Sequence, residues 1–125
     1  MAYEIPGFSW TPLAGEDLSS SQFCGVDIDS AGEAVLPAAG GRCVGFIRNK
    51  PALGEAVTLV TTGIVMAEVG ATGINAGDNV SVNAAGKVVQ SVSGDISVGV
   101  ALSTNASGEV GTILLLIGQS VVTGS

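Results

Sequence analysis

There is no histidine in this chain of 125 residues. Its absence removes the commonest general base and a frequent metal ligand. It also excludes Ser-His-Asp and Cys-His nucleophiles within one chain. Basic residues are few: Arg42, Arg48, Lys50 and Lys87 stand against eleven carboxylates, for a net charge of −7. So small a cationic set cannot neutralise a run of phosphates, which argues against nucleic acid as a partner. It equally disfavours an anionic membrane surface. Two cysteines are too few for a four-ligand zinc site. Residues 1–10 have neither the basic region nor the apolar core of a secretory leader. Cys24 and Cys43 are therefore expected to be reduced and buried. On the same ground Asn79 and Asn105, each opening an Asn-x-Ser triplet, are expected to be ordinary turn residues.

Long apolar runs are missing too. The most apolar stretch, Thr112-Ile113-Leu114-Leu115-Leu116-Ile117, is far too short to span a bilayer. Neither a phosphate-binding G-x-x-x-x-G-K-[ST] nor a dinucleotide-binding G-x-G-x-x-G occurs. Asp27 and Asp29 form a D-x-D pair, but no further carboxylates follow at calcium-loop spacing, so the pair reads as a turn cap. The sequence offers no catalytic residue and implies no metal and no cofactor, so no enzyme is expected.

Charged residues make up 12% and aromatics 4% of the chain, while hydrophobic residues reach 46% with 19 glycines. Such a chain can bury a Val/Ile/Leu core, but its surface must be Ser, Thr, Asn, Ala and Gly rather than charge. A surface poor in charge suits a protein packed against others.

What the chain does contain is a repeat. Residues 29–62 and 83–116 align without a gap. The matching pairs include Ala31/Ala85, Gly32/Gly86, Val35/Val89, Gly40/Gly94, Val44/Val98, Gly45/Gly99, Gly54/Gly108, Glu55/Glu109 and Thr58/Thr112. Gly32 and Gly86 stand in polar turns, where a positive φ is cheap for glycine. Gly45 and Gly99 lie inside apolar strands, where glycine marks a bulge or a close backbone approach. Gly54 and Gly108 open the last strand of each copy. Short strands at regular spacing with turn residues between them predict an all-β fold. Two like units predict one small β-barrel or sandwich, a single β domain over residues 23–125. Leu114 and Leu116 fall on one face of the last strand, and Ile113, Leu115 and Ile117 on the other. A strand apolar on both faces must be covered on both, by the domain itself or by a partner.

Residues 1–22 differ from the rest. Tyr3, Phe8 and Trp10 are most of the aromatic content, spaced by Pro6 and Pro12 without helical period. They predict an extended N-terminal arm whose aromatics contact a neighbouring protomer or another protein. The one helical candidate is a single turn over residues 17–22, where Asp17 and Ser19 can cap.

The run Asp29-Ser30-Ala31-Gly32, then Val44-Gly45-Phe46-Ile47-Arg48-Asn49-Lys50-Pro51 and Gly54-Glu55-Ala56-Val57, is similar to small tailed-phage capsid decoration, or cement, proteins. So are Gly63-Ile64-Val65, Ala76-Gly77-Asp78, Gly99-Val100-Ala101-Leu102, Gly108-Glu109-Val110, and the N-terminal Ile5-Pro6-Gly7-Phe8. The likeness covers roughly residues 5–117, and its motifs are structural glycines and small apolar residues. It implies a structural protein on the outer surface of an icosahedral phage head, made in the host cytoplasm. Its partners would be the major capsid protein and itself, commonly as a homotrimer, bridging capsid subunits. The other reading of the residues is a fibre or adhesin-like module for host surface glycans, although few aromatics are present to stack on sugars.

Overall fold

A computed structural model describes residues 9–115. Ten strands follow in order: β1 (Ser9–Trp10), β2 (Gly25–Ile28), β3 (Ala34–Val35), β4 (Gly45–Ile47), β5 (Leu59–Val60), β6 (Gly63–Glu68), β7 (Asn79–Val82), β8 (Val88–Gln90), β9 (Gly99–Ala101) and β10 (Val110–Leu115). Among the described residues there is no helix, and the fold is all-β. The predicted helical turn is instead a side-chain-directed turn. Asp17 Oδ1 accepts from Ser19 N at 3.0 Å, and Ser21 N then donates to the Leu18 carbonyl. An aspartate bonding two residues ahead draws the backbone away from the helical path.

The strands form two antiparallel five-stranded sheets, ordered β1-β5-β4-β2-β3 and β6-β10-β9-β7-β8. Adding five to each label of the first order gives the second. The repeated sequence thus folds twice into one topology. The equivalence also reaches further than residues 29–62. The pairing of Ser9 with Val60 is matched by Ile64 with Leu114, and that of Leu13 with Ala56 by Glu68 with Val110. β1 is therefore the counterpart of β6. Residues 9–22, predicted to lie in the arm, are bonded into the first sheet. Ala14 N donates to the Glu55 carbonyl, Leu18 N to the Pro51 carbonyl, and Leu18 is fully buried. Tyr3 and Phe8 lie outside the described residues.

The corners repeat atom for atom. Asp29 Oδ1 accepts from Ala31 N and Glu33 N, as Asn83 Oδ1 does from Ala85 N and Lys87 N. Glu55 Oε1 accepts from Ala52 N, as Glu109 Oε1 does from Ala106 N. These carboxylates and amides satisfy turn backbone that would otherwise be unpaired, which is why polar residues recur there. Asp29 is thus a turn cap. Gly32, Gly54, Gly86 and Gly108 all have positive φ. Gly45 and Gly99 do not; they are needed for space, since a Cβ would lie 3.0 Å from the Val60 carbonyl oxygen at Gly45 and 2.1 Å from that of Leu114 at Gly99.

Each sheet curls so that its ends meet. A parallel bridge joins Ala14 to Ala34 in the first unit and Val69 to Val88 in the second. Inside the first lie Ala14, Leu18, Val26, Ala34, Ile47, Val57 and Leu59. Their counterparts Val69, Ile74, Val80, Val88, Ala101 and Ile113 are buried in the second, with Gly111 in place of Val57. Two Ala-to-Val changes offset most of the volume lost by Ile-to-Ala and Val-to-Gly, as dense packing requires.

Candidate interaction surface

The two units meet through backbone. Gly25 N donates to the Gly86 carbonyl, Gly40 N to the Val82 carbonyl, and Glu68 N to the Phe23 carbonyl. Gly25 permits this approach, because a Cβ there would lie 2.7 Å from Cys43 Sγ and 2.9 Å from Val82 Cγ1. Phe46, on the outward face of the first sheet, is fully buried among residues of the second unit. The turn and strand ends of unit two thus cover the outward face of unit one around Gly25 and Phe46, while Thr11, Arg48 and Ala56 on that face stay exposed.

Among the described residues, the outward face of unit two is more open. Cross-strand partners share a face, so Ile64 and Leu114, Leu114 and Val100, and Met66 and Thr112 lie together. Val110 and Leu102 fall on that side by alternation. Ile64 is 62% exposed, Met66 47%, Leu102 44% and Val110 44%, an apolar patch with no charge except Glu68 at its end. At the equivalent positions unit one has Ser9, Thr11, Arg48 and Ala56. β10 is a central strand, and among the described residues Gly111 and Ile113 on one side are buried while Leu115 beyond them is partly buried. The other side, with Leu114, is what the apolar run at residues 112–117 left to be covered.

Polar chemistry is sparse and structural. Arg42 Nε lies 2.7 Å from Asp27 Oδ1, which raises the guanidinium further above its ordinary value. Lys87 Nζ lies 3.1 Å from Glu68 Oε2. Asp17 is held below the usual carboxylate range by the Ser19 hydrogen bonds. Buried Ser81 bonds Ser91 and the Ile96 carbonyl, filling the place that the Asp27–Arg42 pair has in unit one. Burial raises the Cys24 thiol to about 11, with Glu68 adding to the effect, and raises Cys43 to about 12. At neutral pH both are protonated and therefore poor nucleophiles. No disulfide joins them. Among the described residues no group of three or more His, Cys, Asp or Glu side chains is placed to hold a metal ion. Nor is any helix there long and apolar enough to cross a membrane.

Of the predicted contact residues, only Trp10 has described backbone, paired opposite Leu59. The patch around Ile64 and Met66 was not singled out from sequence. Its signal is the strict alternation of Ile64, Met66 and Glu68 with buried Val65, Ala67 and Val69.

Solved structures with this fold include the N base of the head fiber protein gp8.5 of bacteriophage phi29. It has a TM-score of 0.70 and 16% identity, covering 90% of this chain and 97% of that one. Among individually curated proteins no relative matches. The family model described as phage cement protein matches residues 8–117, which take in all the described residues and both sheets. The chain belongs to the phage cement protein family.

Proposed function

We propose that this protein binds the outer surface of an icosahedral phage head and stabilises it by bridging neighbouring major capsid subunits, as a homotrimer. The observation that carries this reading is the outward face of β6, β10 and β9, which is apolar and nearly uncharged in a chain of net charge −7. Monomers seldom leave so many aliphatic side chains of one sheet face in water. A capsid lattice offers many identical sites, so modest contacts add up by multivalency. The role is structural rather than enzymatic, needs no cofactor and involves neither nucleic acid nor membrane. Assembly onto the head takes place in the host cytoplasm. Tyr3 and Phe8, with Trp10 in β1, form the adhesive N-terminal part of the contact. The domain division is then an arm over residues 1–8 ahead of one β domain that begins at Ser9, with each curled sheet a small barrel.

The test is cosedimentation with expanded heads lacking the protein. Binding that saturates and raises the temperature of DNA release supports the reading; no cosedimentation at micromolar protein removes it. A second reading keeps one observation of its own. The fold is shared with the base of a head fiber, which favours a fibre-associated module, and an adhesin of this kind would bind host surface glycans. Retention on immobilised host glycan without capsid binding would favour it.

A further inference from the structure

The seam between the units has counterparts at both ends of the molecule, because the units share one topology. In the seam Gly25 N donates to the Gly86 carbonyl and Gly40 N to the Val82 carbonyl, and Ile96 N donates back to the Gly40 carbonyl. Unit two repeats the positions of Gly25 and Gly40 as Asn79 and Gly94. Unit one repeats those of Gly86, Val82 and Ile96 as Gly32, Ile28 and Arg42. Gly25 and Gly86 are buried in the seam, whereas Asn79 and Gly32 are exposed. Left bare, two such ends would let the seam recur from one copy to the next, because an exposed strand flank invites pairing and a repeat array grows at an uncapped end.

Two differences between the units close these ends. Pro37 comes just after β3, and its counterpart Ser91 just after β8. Proline has no N–H to give to a ladder. β3 stops at Val35, and the flank of β2 at Gly25 is taken by Gly86 of unit two. β8 runs one residue further, to Gln90, and Ser91 N then donates to the Asn79 carbonyl at 2.9 Å. The Ser91 hydroxyl shares a hydrogen bond with buried Ser81. Unit two thus covers with its own chain the flank of β7 that corresponds to the docked flank of β2. At the other end, Arg42 stands where unit two has Ile96. Its Nη2 donates to the Ile28 carbonyl at 3.3 Å and its Nε to Asp27 Oδ1 at 2.7 Å. The Ile28 carbonyl corresponds to that of Val82, so the guanidinium occupies the place that Gly40 N takes in the seam. We infer that Ser91 and Arg42 are caps that confine the seam to units of one chain and close both ends of the two-unit array against a further unit. This goes beyond the proposed homotrimer, whose protomers must then meet through other surfaces.

The experiment gives each cap the residue types that the seam already holds at the equivalent positions. One variant of the full chain carries Asn79→Gly and Ser91→Pro, which opens the end of unit two. A second carries Asp27→Ser and Arg42→Ile, which opens the end of unit one. A third carries all four substitutions. Circular dichroism melting checks that each is folded, and sedimentation velocity compares its size with the wild type over a range of concentrations. Each of the first two alone should keep the size of the wild type, and the two should associate when mixed. The third should grow with concentration and associate at least about tenfold more tightly than the wild type, roughly what two recovered backbone hydrogen bonds contribute. A folded third variant of wild-type size overturns the inference, and so does a mixture of the first two that gains no size. Amide hydrogen exchange of the wild type is a second measurement, independent of whether the variants fold. The Ser91 amide should be protected to within about tenfold of the Gly25 amide, as the two hold equivalent flanks. Exchange of Ser91 as fast as an exposed turn amide would remove the cap.

Discussion

The two units differ least where the backbone turns and most where the surface faces outward. The turn bonds at Asp29 and Asn83, and at Glu55 and Glu109, are the same in both. The outward faces are not: Ser9, Thr11 and Arg48 in one stand where Ile64, Met66 and Leu102 do in the other. Turn geometry tolerates few residue types, because an unpaired backbone group or a wrong φ costs free energy wherever it occurs. An outward position is limited only by what covers it. Divergence between the units is therefore greatest on these faces, and among the described residues the aliphatic side chains of unit two stay about half exposed.

The comparison breaks most sharply at its glycines. Gly45 and Gly99 are equivalent, but a Cβ would meet carbonyl oxygen at 3.0 Å in one and 2.1 Å in the other. Gly99→Ala is expected to destabilise the fold by roughly 3 kcal/mol or more, as overpacking against backbone does. Gly45→Ala should cost about 1 kcal/mol. Likewise, Gly86→Ala sets a Cβ 2.4 Å from the Gly25 carbonyl oxygen, while Gly32→Ala meets nothing. The second should cost only the positive-φ term of about 1–2 kcal/mol. Urea unfolding of the four variants checks the order; equal losses within either pair would break the asymmetry.

The two thiols sharpen the comparison. Cys24 and Cys43 both belong to unit one, and their counterparts in unit two are Asp78 and Ser97. Burial raises the thiols to about 11 and about 12, from an ordinary value of 9.0. A raised folded value means that their contribution is complete below about pH 9 and is lost as pH rises toward 12. The melting temperature should fall across that window. Cys43→Ser should flatten the fall, and a profile unchanged by this substitution would assign the alkaline loss elsewhere.

The smallest effect is expected at Phe23. Its φ is 67°, and the equivalent residue is Gly77, with φ 91°. Left-handed backbone costs a non-glycine residue about 1–2 kcal/mol, and its half-buried ring returns about 1 kcal/mol by burial. Phe23→Gly should therefore shift stability by no more than about 1 kcal/mol, in the stabilising direction. A loss above about 2 kcal/mol would show that the ring is an anchor between the units.

The chain by itself determined its class and its period. Glycine-punctuated apolar runs without helical spacing allow only strands, and the recurrence from Asp29 to Asn83 onward fixed the register of the second unit on the first. Ahead of Asp29 the recurrence was not legible. The loops around Leu18 and Ile74 differ in length, so gapless alignment fails there, and β1 was read as part of an arm. Strand pairing supplied the rest, because Ser9 can be matched to Ile64 only through their partners Val60 and Leu114. Alternation in β10 said that both faces are apolar; it could not say which one the chain covers. That was decided by tertiary structure. Curling of the second sheet consumes the Ile113 side as its interior, and docking of the units covers Phe46 while leaving its counterpart Val100 partly in solvent. Burial depends on where the other unit sits, and that is a property of the assembled sheets rather than of any local run of residues.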